Sequence, residues 1–403
     1  MEAINVVPLP YHEAVRDYLK REDSRVWQWF ASHSAREEQA EAVRFDLLKN
    51  TYRVERDADP ALYAIADEVA AALSINLPIT IYQSQNPGGL NAALAYVPDE
   101  AHVVFSGPIK SKLNELEVRA VLAHELTHHA LWHSWQGEFL IADQILAALT
   151  HDAQAHPAHF ASARLFQLYT EIFCDRGSLA ATGDPLVVVS TLVKLATGLD
   201  EVHPESYIRQ AEEVYSKGST TTAGVTHPES FIRARALKLW HDRDAHAAEK
   251  IAAMIEGPLV LDELDLLGQR KVHDLTQRLI NLFLSQPCFQ TDLLLAHARL
   301  YLPDYGAPPK THTDERLFND LSTDDRPLQD YFCYVLLDFA TADRELEQAP
   351  LAAALQIAER ANMKDRLAEI AKKELRLTKK QFDRLDHEKQ ALIDAAAREA
   401  QKA

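Results

Sequence analysis

The run Val121-Leu122-Ala123-His124-Glu125-Leu126-Thr127-His128-His129 holds two imidazoles four positions apart, with a carboxylate directly after the first. Residues four apart on a helix lie on one face, so His124 and His128 can aim ring nitrogens at one ion while Glu125 reaches the space beside it. Zinc suits that geometry: two histidines and one further ligand leave a tetrahedral position for water, and the bound ion lowers the pKa of that water to about 7. Glu125 is then placed to act on the water as a base. Val118, Val121, Leu122 and Leu126 supply core contacts around the motif, and burying two histidines and a glutamate there unpaired would be costly.

The third ligand must come from elsewhere. Leu131 and Ser134 stand where the extended zinc motif requires glycine and histidine. His129 and His133 are rotated off the His124/His128 face. Downstream, Glu171 and Asp175 lie four apart in the helical stretch Tyr169-Thr170-Glu171-Ile172-Phe173-Cys174-Asp175-Arg176. Glu171 can bind the metal while Asp175 orients a ligand histidine through its second ring nitrogen, the outer support such sites use. That is a gluzincin arrangement. Cys174, between the two carboxylates, is expected to point elsewhere and to pack as a small hydrophobe.

In order, His124-Glu125-Leu126-Thr127-His128, then Glu171 and Asp175, then Thr226-His227-Pro228 with Arg233 resemble the motifs of the zinc peptidase family that contains HtpX and the CAAX prenyl endopeptidase. Asn91-Ala92, ahead of the motif helix, is similar to that family's pattern as well, and the resemblance spans roughly residues 60–242. It implies that His124, His128 and Glu171 bind zinc, that Glu125 is the base, and that an edge beginning at Asn91 and Ala92 holds extended substrate. His227 would be an oxyanion donor or a removable fourth ligand. Arg233 is open between substrate contact, orientation of its own element and pairing with a carboxylate. Many members of the family are integral membrane proteins, and the spans are not found in this sequence.

Around these residues the sequence predicts a mainly α chain (α+β). Two helices separated near Ser34 fill the first fifty residues, and a third starts at Asp59-Pro60 with the apolar stripe Leu62, Ile65, Val69 and Leu73. Short segments at 79–83, 91–97 and 102–105, divided by turn residues at 86–89 and 98–99, predict a small antiparallel sheet. Helices follow at 115–135, 139–149, 161–182, 185–196, 204–215 and 228–240, with a lid-like loop at 217–225. The expected organisation is an N-terminal helical segment (1–58) on a zincin-like gluzincin domain (59–242), then an α-helical C-terminal domain (243–403). From about residue 323 that domain is faintly TerB-like around Asp338, Asp343 and Glu345, carboxylates that a solvated turn or a cation would explain.

Composition sets the partners. With 42 basic and 60 acidic residues the formal charge is -18, a field that repels nucleic acid and anionic lipid. Three cysteines fit a reducing compartment, and no apolar run approaches the ~20 residues of a membrane span. The amino terminus lacks the pattern of a secretory signal, so a cytoplasmic location without membrane insertion is expected. No phosphate loop, GxSxG elbow or Cys/His signature competes. The expected activity is zinc-dependent endoproteolysis of flexible or unfolded protein segments. Its rivals are a zinc-stabilised binding or chaperone-like module and a latent protease, either one engaging a protein partner through the C-terminal helices.

Overall fold

The computed structural model describes residues 7–85, 89–217, 230–306 and 315–401. Proline sets several of its helix starts, because its fixed φ suits the first turn and its missing N–H is not needed there. The first fifty residues form three helices, α1 (Pro10–Glu22), α2 (Ser24–Phe30) and α3 (His33–Asn50), where two were expected. The chain leaves helical geometry at Asp23 (φ -119°, ψ 45°) and again at Ser32 (φ -66°, ψ 143°), so the second break falls just ahead of Ser34.

Next come β1 (Thr51–Val54), α4 (Pro60–Ala72), β2 (Ile79–Ser84), β3 (Asn91–Val97), β4 (Glu100–Ser106) and the single turn α5 (Ile109–Lys112). The sheet has the order β1-β2-β4-β3. It is mixed, which corrects the antiparallel expectation: β2 and β4 run parallel with Ile81 opposite Val103, while β1/β2 and β3/β4 are antiparallel. The reason is burial. Ala101, Val103 and Phe105 of β4 are core residues, so this strand takes a central position with partners on both sides. The more exposed β3 is left at the edge. β1, four residues long and half exposed, carried too little apolar pattern to be anticipated.

The motif helix α6 (Glu115–His133) is followed by α7 (Glu138–His151), α8 (Pro157–Thr182), α9 (Pro185–Thr197), α10 (Pro204–Ser216), α11 (Ser230–His241) and α12 (Ala247–Glu256). A capping box starts α6: Asn114 Oδ1 accepts the Glu117 N–H (3.0 Å) and Glu117 Oε2 accepts the Asn114 N–H (2.9 Å). The buried Glu117 also accepts from Ser190 Oγ (2.8 Å) and Lys194 Nζ (2.9 Å) of α9, which fixes the entry of α6 against that helix. Leu122 and Leu126 then pack into the core formed by the sheet and α4, and Ala120 packs with Val188, Val189 and Leu237 of α9 and α11. A helix covered on so many sides keeps its polar residues only where they have partners or work.

The chain divides into two compact units, Met1–Gly257 and Pro258–Ala403. The division falls after the expected 242/243 boundary because α12 contacts α11 and α8 of the first unit. The second unit comprises α13 (Leu266–Phe283), α14 (Asp292–Tyr301), α15 (Glu315–Leu321), α16 (Arg326–Ala342), α17 (Ala349–Arg360), α18 (Lys364–Glu374) and α19 (Lys379–Ala400) around Phe283, Phe289, Phe332, Phe339 and Leu355. Two of its acidic side chains have local work: Asp338 accepts from Tyr301 Oη (2.5 Å), and Asp343 accepts the Glu345 N–H (3.0 Å). Among the described residues no helix is long and apolar enough to cross a membrane.

His12 docks α1 onto α8. Its Nδ1 accepts the Leu9 N–H (3.3 Å) and its Nε2 meets Thr170 Oγ1 (3.2 Å), which itself donates to the Phe166 carbonyl (2.9 Å). With the Thr170 proton committed, His12 must be the neutral Nε2–H tautomer. It is wholly buried, and that burial lowers its pKa to about 3. An unfolded histidine titrates near 6.5, so below that pH the unfolded chain binds a proton that the folded chain refuses. The stability His12 contributes is therefore complete above about pH 6.5 and is lost as pH falls toward 3. We expect His12→Asn to lower stability at pH 7 through lost packing and to flatten the pH dependence between pH 5 and 6.5 by up to about 1.4 kcal/mol per pH unit. Denaturant unfolding at several pH values tests this; equal slopes for the two proteins would rule it out.

Candidate metal centre

Helices α6 and α8 carry nearly all of the site. One turn of α6 separates His124 from His128, and one turn of α8 separates Glu171 from Asp175, so two pairs of side chains meet where the helices cross. Glu171 Oε2 lies 3.4 Å from His124 Nε2, and Glu171 Oε1 lies 3.6 Å from His128 Nε2. A tetrahedral zinc with bonds of 2.0–2.1 Å needs its ligand atoms about 3.3–3.4 Å apart, so Glu171 lies near ligand spacing from each imidazole, through one oxygen to His124 and the other to His128. His124 Nδ1 is 3.1 Å from Asp175 Oδ1, which leaves Nε2 as the ring's free lone pair. These residues fit zinc in number, donor type and separation.

Behind the donors lies Arg233 of α11. Its Nε and Nη2 each donate to Asp175 at 2.6 Å, and its Nη1 is 3.2 Å from Glu171 Oε2. Sequence reasoning left Arg233 open between substrate contact, orientation of its own element and pairing with a carboxylate; it borders the cleft, and its guanidinium pairs with the two carboxylates. Burial works to raise Glu171, yet the His124 hydrogen bond and Arg233 hold it well below its ordinary range. Burial likewise works to raise Asp175, and Arg233 with His124 overcomes it. At His124 burial works downward, and the bonds to Asp175 and Glu171 reverse it, raising the imidazole to about 10. The local field thus favours positive charge at the His124/Glu171 position, as a cation site requires. His128, which lacks such a carboxylate bond, is lowered to about 4 by burial.

Glu125 points into the same space. Burial raises its carboxyl to about 7, opposed in part by His124 and by the neighbouring Leu94 main chain of β3. β3 is an edge strand, and its residues Asn91 to Leu94, with Leu90 just ahead of it, form one wall of a cavity of about 470 Å³. His124, Glu125, His128 and Glu171 form its floor, and Val188, Thr191, Leu192 and Leu195 of α9 its opposite wall. The structure therefore brings His124, Glu125, His128, Glu171, Asp175, Asn91, Ala92 and Arg233 to one cleft. His227, with Thr226 and most of the expected 217–225 lid, lies outside the described residues.

His129 faces away from the donors, as its register implies: its Nε2 bonds the Val97 carbonyl (3.2 Å) and its ring stacks on His133. Cys174 does not point elsewhere. Its sulfur and donor nitrogens of His124 and His128 lie within 4.8 Å of one another. Three positions on from Glu171 is nearly one helical turn, a spacing that already places Cys174 on the ligand side. Burial pushes its thiol well above its ordinary range. Glu171, 3.4 and 3.6 Å from the two imidazole Nε2 atoms and held in its ionised form, is the better third ligand of the two. Trp132 was also missed; it stands one turn beyond His128, with ring centroids 5.3 Å apart, and lines the cleft. The wall from α9 had no local signal, since its residues read only as helix core.

Residues 57–241 match the profile of peptidase family M48, the stretch over which the resemblance was expected. The chain is also similar to the plastoglobule-localized metallopeptidase 48 of Arabidopsis thaliana, a chloroplastic protein, with 30% identity over 198 residues. That alignment covers 44% of this chain and 56% of the plant protein, so the chain spans little more than half of its relative's length. No solved structure matches.

The α6–α8 crossing sets the donor spacing, and its closest point is Gly177. A Cβ built there would fall 2.0 Å from Oγ1 of Thr127, a fully buried side chain whose hydroxyl donates to the Ala123 carbonyl (2.6 Å). We expect Gly177→Ala to force the helices apart, costing about 1–3 kcal/mol of stability and weakening metal binding as Glu171 and Asp175 move away from the imidazoles. Metal titration and thermal unfolding read both effects; unchanged affinity in a folded Gly177→Ala protein would show that the contact does not set the ligand spacing.

Proposed function

We propose that residues 57–241 form a peptidase family M48 domain that acts as a zinc endopeptidase, hydrolysing peptide bonds in flexible or unfolded protein segments. The observation that carries the reading is the approach of Glu171 to both imidazoles at ligand spacing, with Glu125 beside them. His124, His128 and Glu171 would hold the ion, and zinc bound there would supply a Lewis acid and a water acidic enough to ionise near neutral pH.

The remaining work falls to side chains and backbone. Asp175 fixes the His124 ring through Nδ1, and Arg233 fixes Asp175, so the ligand cannot turn away. Glu125 accepts the proton from the attacking water and delivers it to the leaving amine as the C–N bond breaks. An extended peptide can add to the free edge of β3 from Asn91 onward through main-chain hydrogen bonds, which presents the scissile bond without requiring a particular sequence. A folded segment cannot offer that edge, which is why flexible chain is the assigned substrate class.

Digestion of an unfolded protein by the full chain should depend on metal and stop with a chelator. Glu125→Gln keeps the shape of the side chain and loses the base, so turnover should fall by about 10²–10⁴ while bound metal, read by elemental analysis, is retained. Full activity in that variant would sink the assignment of the base, and a wild-type chain that binds no zinc would sink the whole reading.

A further inference from the structure

We propose that the α9 wall of the cleft is a specificity subsite, with Leu195 and Ala196 as its accessible residues, and that it takes the apolar side chain of a residue flanking the scissile bond. The proposal rests on the zinc endopeptidase reading above and adds to it a preference among the bonds that extended chain presents. Two observations carry it, the chemistry of the lining and its incomplete burial.

Among the described residues, the titratable side chains that border the cleft are those of the centre itself: His124, Glu125, His128, Glu171, Asp175 and Arg233. From α9 come Val188, Thr191, Leu192, Leu195 and Ala196. The single polar side chain in that set, Thr191, is buried, and its hydroxyl donates to the Val187 carbonyl (2.8 Å). The wall therefore offers a substrate neither charge nor hydrogen-bond donor. A charged side chain brought against it would lose water without gaining a partner, whereas an apolar one would gain by leaving water.

The wall is also unfinished as a core. Val188 and Leu192 pack with Ala120, Ala234 and Leu237, but Leu195 is half-buried and Ala196 exposed. Across the cleft Leu90 and Leu94 are half-buried too, and they pack on the same core cluster as Leu195. Apolar surface is thus left open on both walls above a polar floor, the composition of a pocket that accepts a side chain. Its position is fixed, because Ser190 and Lys194 of α9 both bond Glu117 of the metal helix and Leu195 follows Lys194 directly.

Strand geometry limits the preference to one side of the bond. Successive side chains of an extended peptide turn to opposite faces. Of the two residues flanking the scissile bond, one therefore turns into the cleft, where α9 stands, and the other out of it. Pairing with β3 places a bond of any extended chain over the centre, and the wall ranks the bonds so placed by the side chain that enters with them.

The test is digestion of a random peptide library by the zinc-loaded full chain, with cleavage sites read by mass spectrometry. We expect aliphatic and aromatic residues to be favoured over acidic and basic ones by about tenfold or more at one flanking position, with little selection at the other. Leu195→Arg, and Ala196→Arg at a position already exposed to solvent, should raise the share of acidic residues at that same position. Labelled peptides that differ only there should rank in the same order when they bind the Glu125→Gln chain, read by fluorescence anisotropy. Cleavage without apolar preference at either flanking position overturns the proposal and leaves the endopeptidase reading standing, and this result depends on no variant. A preference that is unchanged in both arginine variants overturns the assignment to α9. A chain that holds zinc and cleaves no member of the library overturns the proposal together with the endopeptidase reading.

Discussion

The site depends on how closely α6 and α8 can approach. Ligands drawn from two helices share an atom only if the helix axes are held near the lower end of packing distances, and side chains at the crossing set that distance. Here the crossing residues are small on one side: Gly177 meets Thr127, and one position on, Ser178 Oγ donates to the Ala120 carbonyl (2.8 Å). That second bond ties α8 to the main chain of α6 and fixes the sliding coordinate as well as the distance. His124, Thr127 and His128 on α6 then face Glu171, Asp175 and Ser178 on α8 as one interdigitated surface, half of it packing and half of it ligand.

Such a surface buries charge, and the charge must be balanced within it. Glu125, Glu171 and Asp175 are three carboxylates in a volume from which water is largely excluded, with Arg233 as the fixed cation reaching two of them. An isolated carboxylate there would take up a proton, as burial tends to make Glu125 do. The arrangement sorts the three by role: two are kept ionised by Arg233 and by the imidazole, and the third is left with a higher proton affinity. In the proposed reading a ligand has to be ionised, whereas a base has to exchange protons near neutral pH, so the geometry of one arginine would separate the two functions.

The parts of the site legible in the sequence were those whose geometry is local. His124 and His128 share a face because a helix has 3.6 residues per turn, and the same holds for Glu171 and Asp175, so each pair could be read before anything was known of how they meet. Cys174 was misjudged by taking its place between two carboxylates as evidence of a different face, when its distance of three from Glu171 argued the opposite. Arg233 was singled out, but its partners sit on another helix and nothing in its neighbourhood names them. The parallel pairing of β2 with β4 was hidden because the segments around it announce only the β3/β4 hairpin; which strand is central follows from burial in the assembled core. The α9 wall of the cleft was invisible for the same reason, since Val188, Leu192 and Leu195 look like any helix stripe until α6 lies across them.

The sheet and the metal helix meet along β3, where His129 Nε2 bonds the Val97 carbonyl (3.2 Å) and Leu94 lies beside Glu125. In an antiparallel pair alternate residues turn their N–H groups away from the partner strand, so an edge strand presents a donor to the outside at every second position. On β3 the Leu94 main chain stands beside Glu125. Under the proposed activity, a peptide that adds to this edge pairs with the free donors and acceptors of β3, and the register it takes there decides which of its carbonyls stands over the proposed metal ligands. Main-chain pairing alone would then both select extended chain and place the scissile bond, without side-chain recognition setting the register.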